Sequence, residues 1–279
     1  MENTAANDGL NDAMNVGMND GLPPERFRIH SRTDVGKRRK RNEDSLGVVA
    51  RHGIFVVADG MGGVDGGDYS SRKVVEMIAD AFENLSPEQI SYPDKLDLLE
   101  RTINAACKVI KKEAELRGIC GMGTTVVLMC FDTTTMREAC IMHVGDSRVY
   151  LYRNRDLHGL TTDHSMAAES GLSDSAMIPI FMAGVITRAV GVREDVVVDR
   201  TPVEVHLGDR YLICSDGLYN MVRRPQMCAI LQHDPLDPAS DMVAAANDAG
   251  GFDNITVILV EVLVGEPFDT SMQLADTKP

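Results

Sequence analysis

The chain has little that would place it in a membrane or an oxidising compartment. Its six cysteines (Cys107, Cys120, Cys130, Cys140, Cys214 and Cys228) show no C-x-x-C spacing, which argues against a zinc ribbon or a dithiol redox motif. Most stand in apolar surroundings, the usual place of buried free thiols, so a reducing compartment is expected. Cys130 and Cys140 are spaced to face each other across a hairpin, with core packing the preferred reading. No segment reaches the ~18 uninterrupted apolar residues of a membrane-span candidate, and the N-terminus lacks the basic-then-apolar order of a secretory signal. A cytoplasmic protein with no membrane partner is expected. Positive charge is also scarce: 28 Lys and Arg stand against 42 Asp and Glu, a formal charge of −14. That field repels nucleic acid as well as anionic lipid, so no nucleic-acid partner is expected. The local exception is the run Lys37-Arg38-Arg39-Lys40-Arg41.

What is present suits a globular domain. Hydrophobic residues make up 44% and charged residues 25% of 279, enough to bury a sizeable core without disulfides. Residues 1–25 carry five acids and no base in a loose Asn/Asp/Gly/Met pattern, and such a segment is expected to stay disordered. A folded domain is expected over residues 26–264, followed by a polar tail over 265–279. Alternation around Phe27, Ile29 and Ser31, and again at Leu46 and Val48, predicts strands. The continuous apolar run from Ile54 to Ala58 predicts a buried strand ending at Asp59.

Val74, Val75, Ile78, Ala79 and Phe82 share one helical face. Leu96, Leu99, Ile103, Ala106, Cys107, Ile110 and Ala114 trace a longer amphipathic helix that opens near Tyr92-Pro93-Asp94. Strands are predicted over 124–131, 138–144, 148–153 and 211–214, helices near 225–231 and 238–249, and a last strand over 255–262. Successive strands without intervening helices imply antiparallel pairing, hence an α+β fold.

Four acidic motifs stand where these apolar strands begin or end: Asn42-Glu43-Asp44, Asp59-Gly60-Met61-Gly62-Gly63, Ser215-Asp216-Gly217 and Asp253-Asn254. A single carboxylate at a strand end is most often a turn or cap residue. Four of them point instead to a hard-metal site, and oxygen donors without His or Cys favour magnesium or manganese. Gly62 to Gly67 is superficially like a phosphate loop, but Asp68 stands where a Lys is needed. His143 and Ser147 flank a tight Gly145-Asp146 turn, and a lone His164 more often serves a local hydrogen bond than catalysis.

These motifs, together with Gly121-Met122-Gly123-Thr124-Thr125 and His143-Val144-Gly145-Asp146-Ser147-Arg148, resemble in type and order those of the bacterial branch of the protein phosphatase 2C family, metal-dependent serine/threonine phosphatases. The resemblance runs from about Arg26 to Val262. It implies a four-layer α-β-β-α sandwich, two central antiparallel sheets flanked by helices, with two manganese or magnesium ions at one end. Carried over position by position, it implies Asp59 as the bridging metal ligand, Glu43 and the Gly60 carbonyl on one ion, and Asp216 with Asp253 on the other. Asp44 and Asn254 are implied to orient ligands and waters, and Arg39 to be the catalytic arginine that grips substrate phosphate. Two metals sharing a water would activate it for in-line attack on a phosphoserine or phosphothreonine. The implied partners are phosphorylated proteins, the targets of a Ser/Thr kinase.

The chain also departs from the family. Val64 replaces a usual His, Gly66-Gly67-Asp68 replaces a usual Ala-Gly-Glu, and Met61 stands where eukaryotic relatives place a His. The stretch Arg117-Gly118-Ile119-Cys120 lacks the Asp that many members use toward a third metal. The flap segment, residues 166–185, is short and atypical. Two rival readings follow: a pseudophosphatase or phosphoprotein-binding scaffold, and a hydrolase of small phosphorylated metabolites.

Overall fold

The computed structural model describes residues 26–63, 66–172, 179, 182 and 184–265. The expectations for residues 1–25, Val64, most of the flap core and the tail beyond Gly265 lie outside the described residues.

Two antiparallel sheets pack face to face. The first runs in the order β1 (Phe27–Asp34), β11 (Ile255–Val262), β10 (Arg210–Cys214), β7 (Arg148–Arg153), β8 (Asp156–Gly159). The second runs β2 (Asp44–Val49), β3 (Ile54–Met61), β5 (Val126–Phe131), β6 (Glu138–Val144), β9 (Asp199–Glu204), with the short β4 (Gly123–Thr124) pairing β3. Helices α1 (Gly67–Glu83) and α2 (Tyr92–Arg117) share a core with the second sheet; α4 (Asp216–Tyr219), α5 (Arg224–His233) and α6 (Pro238–Asp248) share one with the first. The small α3 (Met166–Glu169) opens the flap segment. This is the four-layer α-β-β-α arrangement.

The buried strands explain their own sequences. Side chains alternate along a strand. Ile54, Val56 and Ala58 of β3 therefore enter the helix-side core, whereas Phe55 and Val57 enter the core between the sheets. In β11, Ile255, Val257 and Leu259 face the α4–α6 side, and Ile258, Val260 and Val262 face inward. A strand covered on both faces needs no polar positions, which is why residues 54–58 and 257–260 read as unbroken apolar runs. An aromatic group of Phe27, Phe55, Phe131 and Tyr211 fills the middle of the sandwich, with neighbouring ring centroids 4.8–5.9 Å apart. Cys130 and Cys140 are direct cross-strand partners, and both remain free thiols in the helix-side core.

Four features differ from the sequence-based expectation. β3 continues past Asp59 to Met61, because Gly60 and Met61 pair with Thr124 and Gly123 of β4. The strand predicted over 124–131 is divided at Thr125. β7 and β8 form a hairpin across Asn154 and Arg155, both at positive φ, the geometry of a tight two-residue turn. β9 alternates between half-exposed and exposed residues and contains Pro202, as an edge strand can, so its signal is faint.

The register brings one set of strand ends together. Asp44 at the start of β2 lies opposite Asp59 of β3, Cys214 ends β10 just before Asp216, and β11 begins just after Asp253-Asn254.

Candidate active site

Every acid singled out in the sequence converges at this end of the sandwich. Asp59 is held by its main chain: its N–H donates to Thr125 Oγ1 at 3.0 Å, and its carbonyl accepts from the Thr125 N–H and Thr124 Oγ1, each at 2.8 Å. Thr125 Oγ1 lies 2.7 Å from Ser147 Oγ, so the Thr124-Thr125 and Ser147 motifs brace the strand that carries Asp59. Gly60 N–H donates to the Glu43 carbonyl at 3.0 Å.

Asn254 connects three segments. Its Oδ1 accepts from the Glu43 N–H at 2.8 Å, and its Nδ2 donates to the carbonyls of Val35 at 3.0 Å and Arg41 at 2.9 Å. One buried amide thereby anchors both ends of the basic loop to the loop bearing Asp253. Ser215 connects two more, donating through Oγ to Asp44 Oδ2 at 2.7 Å while accepting from the Thr256 N–H at 3.0 Å. The other Asp44 oxygen, Oδ1, is buried without a hydrogen-bond partner.

Close packing at glycines leaves no room for side chains. A Cβ on Gly217 would lie 1.9 Å from the Asn254 carbonyl oxygen, and one on Gly60 would lie 2.1 Å from that of Gly67. A Gly217→Ala substitution is therefore expected to displace the Asp253-Asn254 loop. It should cost about 1–3 kcal/mol of stability in chemical denaturation and most of the catalytic activity. Wild-type denaturation and turnover would show that the loop has slack.

The electrostatics are those of crowded carboxyls. The charges of Asp44 and Asp216 act directly on the carboxyl of Asp59. Burial, followed by the charges of Asp44, Asp216, Asp146 and Asp253, raises Asp59 well above the ordinary carboxylate range. Burial pushes Asp216 up to about 7, with Asp146 and Asp253 adding to it, and pushes Asp44 up to about 6. Glu43 is raised as well, by burial. Against these stands Arg39, whose Nη2 donates to Asp253 Oδ2 at 2.7 Å. Partial burial opposes its charge, but the Asp253 hydrogen bond and the neighbouring carboxylates hold the guanidinium above its usual value.

Asp146 is a residue that the sequence reading treated as part of a structural turn. It is buried, its own carboxyl is pushed up to about 6 by burial and by Asp163, and it acts on both Asp59 and Asp216. Its carbonyl accepts from Tyr219 Oη at 3.0 Å, and Arg148 stacks 3.6 Å above the Tyr219 ring while gripping Asp163 with two hydrogen bonds. The only signal for it in the sequence was an acid in a glycine turn between two apolar strands.

The histidines near this turn have a different task. His164 Nδ1 accepts from the Gly145 N–H at 3.0 Å, so its proton resides on Nε2, which donates to Asp199 Oδ2 at 3.1 Å. Burial lowers its pKa. His143 stacks on it with centroids 4.5 Å apart and bonds to the Thr162 carbonyl, while Ser147 turns toward Thr125. His143 and Ser147 therefore form no nucleophile–base pair, and His164 braces the turn as the local reading expects.

The protein phosphatase 2C family model matches residues 36–250. The chain belongs to the protein phosphatase 2C family. It is 37% identical over 245 residues to the serine/threonine phosphatase stp of Listeria monocytogenes, covering 82% of this chain and 94% of that relative. It is 32% identical over 240 residues to the protein phosphatase PhpP of Streptococcus pneumoniae, covering 82% and 95%. Among solved structures it resembles the catalytic domain of the serine/threonine phosphatase PstP in complex with two manganese ions, with a TM-score of 0.73, 32% identity, and coverage of 85% and 99%.

This protein phosphatase is thus a metal-dependent phosphoprotein hydrolase, and its site suits a hard cation. Its converging donors are oxygens alone. Its buried carboxyls raise one another and leave one Asp44 oxygen unpartnered, a charge pattern that divalent cations relieve. Among the described residues no helix is long and apolar enough to cross a membrane.

Proposed function

We propose that this phosphatase removes phosphate from phosphoserine and phosphothreonine in proteins at a site for two manganese or magnesium ions. Asp59 would be shared by both ions, with Glu43 and the Gly60 carbonyl holding one and Asp216 and Asp253 the other. Ions held there would supply Lewis acidity and lower the pKa of a water, so no covalent phosphoenzyme would be needed. Arg39, planar and next to Asp253, is placed to grip two phosphate oxygens and orient the ester for in-line attack. Asp44 and Asn254 hold the surrounding ligands and waters in place, and Asp59, pinned by the Thr124-Thr125 hydrogen bonds, keeps the geometry rigid. The observation that carries this reading is the convergence of Glu43, Asp44, Asp59, Asp216 and Asp253 at one end of the sandwich, with Arg39 hydrogen-bonded to Asp253.

The substrates are phosphoproteins produced by a Ser/Thr kinase. Free thiols at all six cysteines support a cytoplasmic location. The folded catalytic unit spans residues 26–264. The complete ligand set, with Arg39 beside it, disfavours a binding-only scaffold.

The test is phosphate release from a phosphothreonine peptide with manganese, with magnesium and with EDTA, run beside sugar phosphates and nucleotides. Metal-dependent release that EDTA abolishes, with the peptide preferred, is the expected result. A strong preference for the metabolites would replace phosphoproteins as the substrate, and EDTA-resistant release would overturn the two-metal site.

A further inference from the structure

The outer edge of β2 lies open beside the catalytic end. β2 ends its sheet and pairs with β3, and no strand among the described residues pairs with its other edge. The ladder determines which groups face outward. Gly60 N–H donates to the Glu43 carbonyl across the pair. By antiparallel alternation, Ser45, Gly47 and Val49 then bond to β3, and Asp44, Leu46 and Val48 turn their main-chain groups away from it. Asp59 agrees, because its own N–H and carbonyl go to Thr125 rather than to Asp44. The Asp44 N–H is satisfied by Asn42 Oδ1 at 3.1 Å, so Leu46 and Val48 present the edge.

A groove of about 570 Å³ follows this edge, bounded by Thr33 of β1 and by Arg72, Val75 and Ala79 of α1. Lys40 and Arg41 line it as well, and the bond from Asn254 to the Arg41 carbonyl ties them to the catalytic end. Asp44, Asp68 and Glu76 line the groove too, and Arg72 pairs with Asp68 and Glu76; in a chain of net charge −14, Lys40 is the local basic feature at the catalytic end that suits an acidic group.

We propose that an extended segment of the phosphoprotein substrate adds to β2 as a further antiparallel strand. This rests on the protein-phosphatase activity and concerns how the same site chooses among phosphoproteins. β2 runs away from the site, from Asp44 to Val49, so an antiparallel partner runs toward it. The segment that docks is therefore the one N-terminal to the phosphorylated residue. At ~3.4 Å per residue, about five or six residues cover the edge. Main-chain hydrogen bonds to Leu46 and Val48 supply affinity without reading side chains, and Lys40 favours an acidic residue close to the phosphorylated one.

Val48→Pro tests this directly. It removes an outward N–H, leaves the β2–β3 hydrogen bonds in place, and follows a glycine that tolerates the restriction proline imposes on its predecessor. For a phosphothreonine peptide with six residues on its N-terminal side, kcat/KM should fall by about tenfold. Activity on the peptide lacking that flank, and on p-nitrophenyl phosphate, should change by less than about twofold. Equal loss on all three substrates, or no loss on the long peptide, overturns the proposal.

Amide hydrogen exchange on the wild-type full chain provides a check that does not depend on the variant. A phosphonate analogue of the long peptide should slow exchange at Leu46 and Val48, and the short analogue should not. Unchanged exchange with the long analogue overturns the proposal. So does exchange that is already slow without peptide and quickens on deleting residues 1–25, because the chain's own N-terminal segment then occupies the edge. Hydrolysis of p-nitrophenyl phosphate with no hydrolysis of any phosphopeptide would instead contradict the phosphoprotein substrate, and the docking with it.

Discussion

Replacing Asp59 with Asn is expected to lower kcat/KM on a phosphothreonine peptide by about 10³-fold or more, a loss of ~4 kcal/mol in transition-state stabilisation. Asp59 is where the demands on the site meet. Its main chain is fixed by Thr124 and Thr125, and its carboxyl feels the charges of Asp44 and Asp216. Asparagine preserves the volume and can keep the same main-chain bonds, but it cannot supply a charged bridge to two cations. The fold should survive. The metal-free variant should unfold at the same temperature as the parent or higher at pH 8, because one member of a crowded set of like charges has been removed. Full turnover in Asp59→Asn, or collapse of the fold, would defeat the role assigned to this residue.

The stabilisation provided by manganese is expected to depend steeply on pH, large at pH 8 and small at pH 5.5. In the metal-free protein, burial and like charges raise Asp216 from 3.8 to about 7 and Asp44 from 3.8 to about 6. Raised carboxyls bind more protons folded than unfolded. Their contribution to stability is present below the unfolded pKa and is lost as pH rises through about 6 to 7. Manganese takes the place of those protons, so it stabilises most where they have left. On these grounds the manganese concentration for half-maximal activity should rise at least about tenfold between pH 8 and pH 5.5. Thermal unfolding with and without manganese at the two pH values measures the effect. An equal rise in Tm at both would mean that the carboxyls do not titrate in this range.

Much of the fold was legible because the buried strands leave strong signals. β3, β5 and β11 are apolar on both faces, so they appear as continuous runs, and α1 and α2 carry one-sided apolar stripes. β9 was not legible, since its alternation is weak and Pro202 interrupts it. β8 was missed because a four-residue strand after a tight turn leaves too few residues to show a period. At the site, Glu43, Asp59, Asp216 and Asp253 stood out because each interrupts or borders an apolar strand. Asp146 did not, because an acid beside a glycine in the turn that carries the chain from β6 of one sheet to β7 of the other has an adequate local explanation until the neighbouring strands are placed beside it.

The division has a physical basis. Alternation, helical stripes and strand-end acids are local patterns written into neighbouring residues, and by themselves they determined the α+β class, the antiparallel pairing and the oxygen-only donor set of this protein. Register and burial depend on residues far apart in the chain, and only the tertiary structure decided them. It set Asp44 opposite Asp59, placed Asp146 where its charge acts on Asp216, gave Asn254 its hold on both the Glu43 segment and the basic loop, and left the outer edge of β2 facing a groove. Charges separated by many residues in sequence crowd one another only after packing excludes the water between them, and that exclusion raises the site's carboxyls.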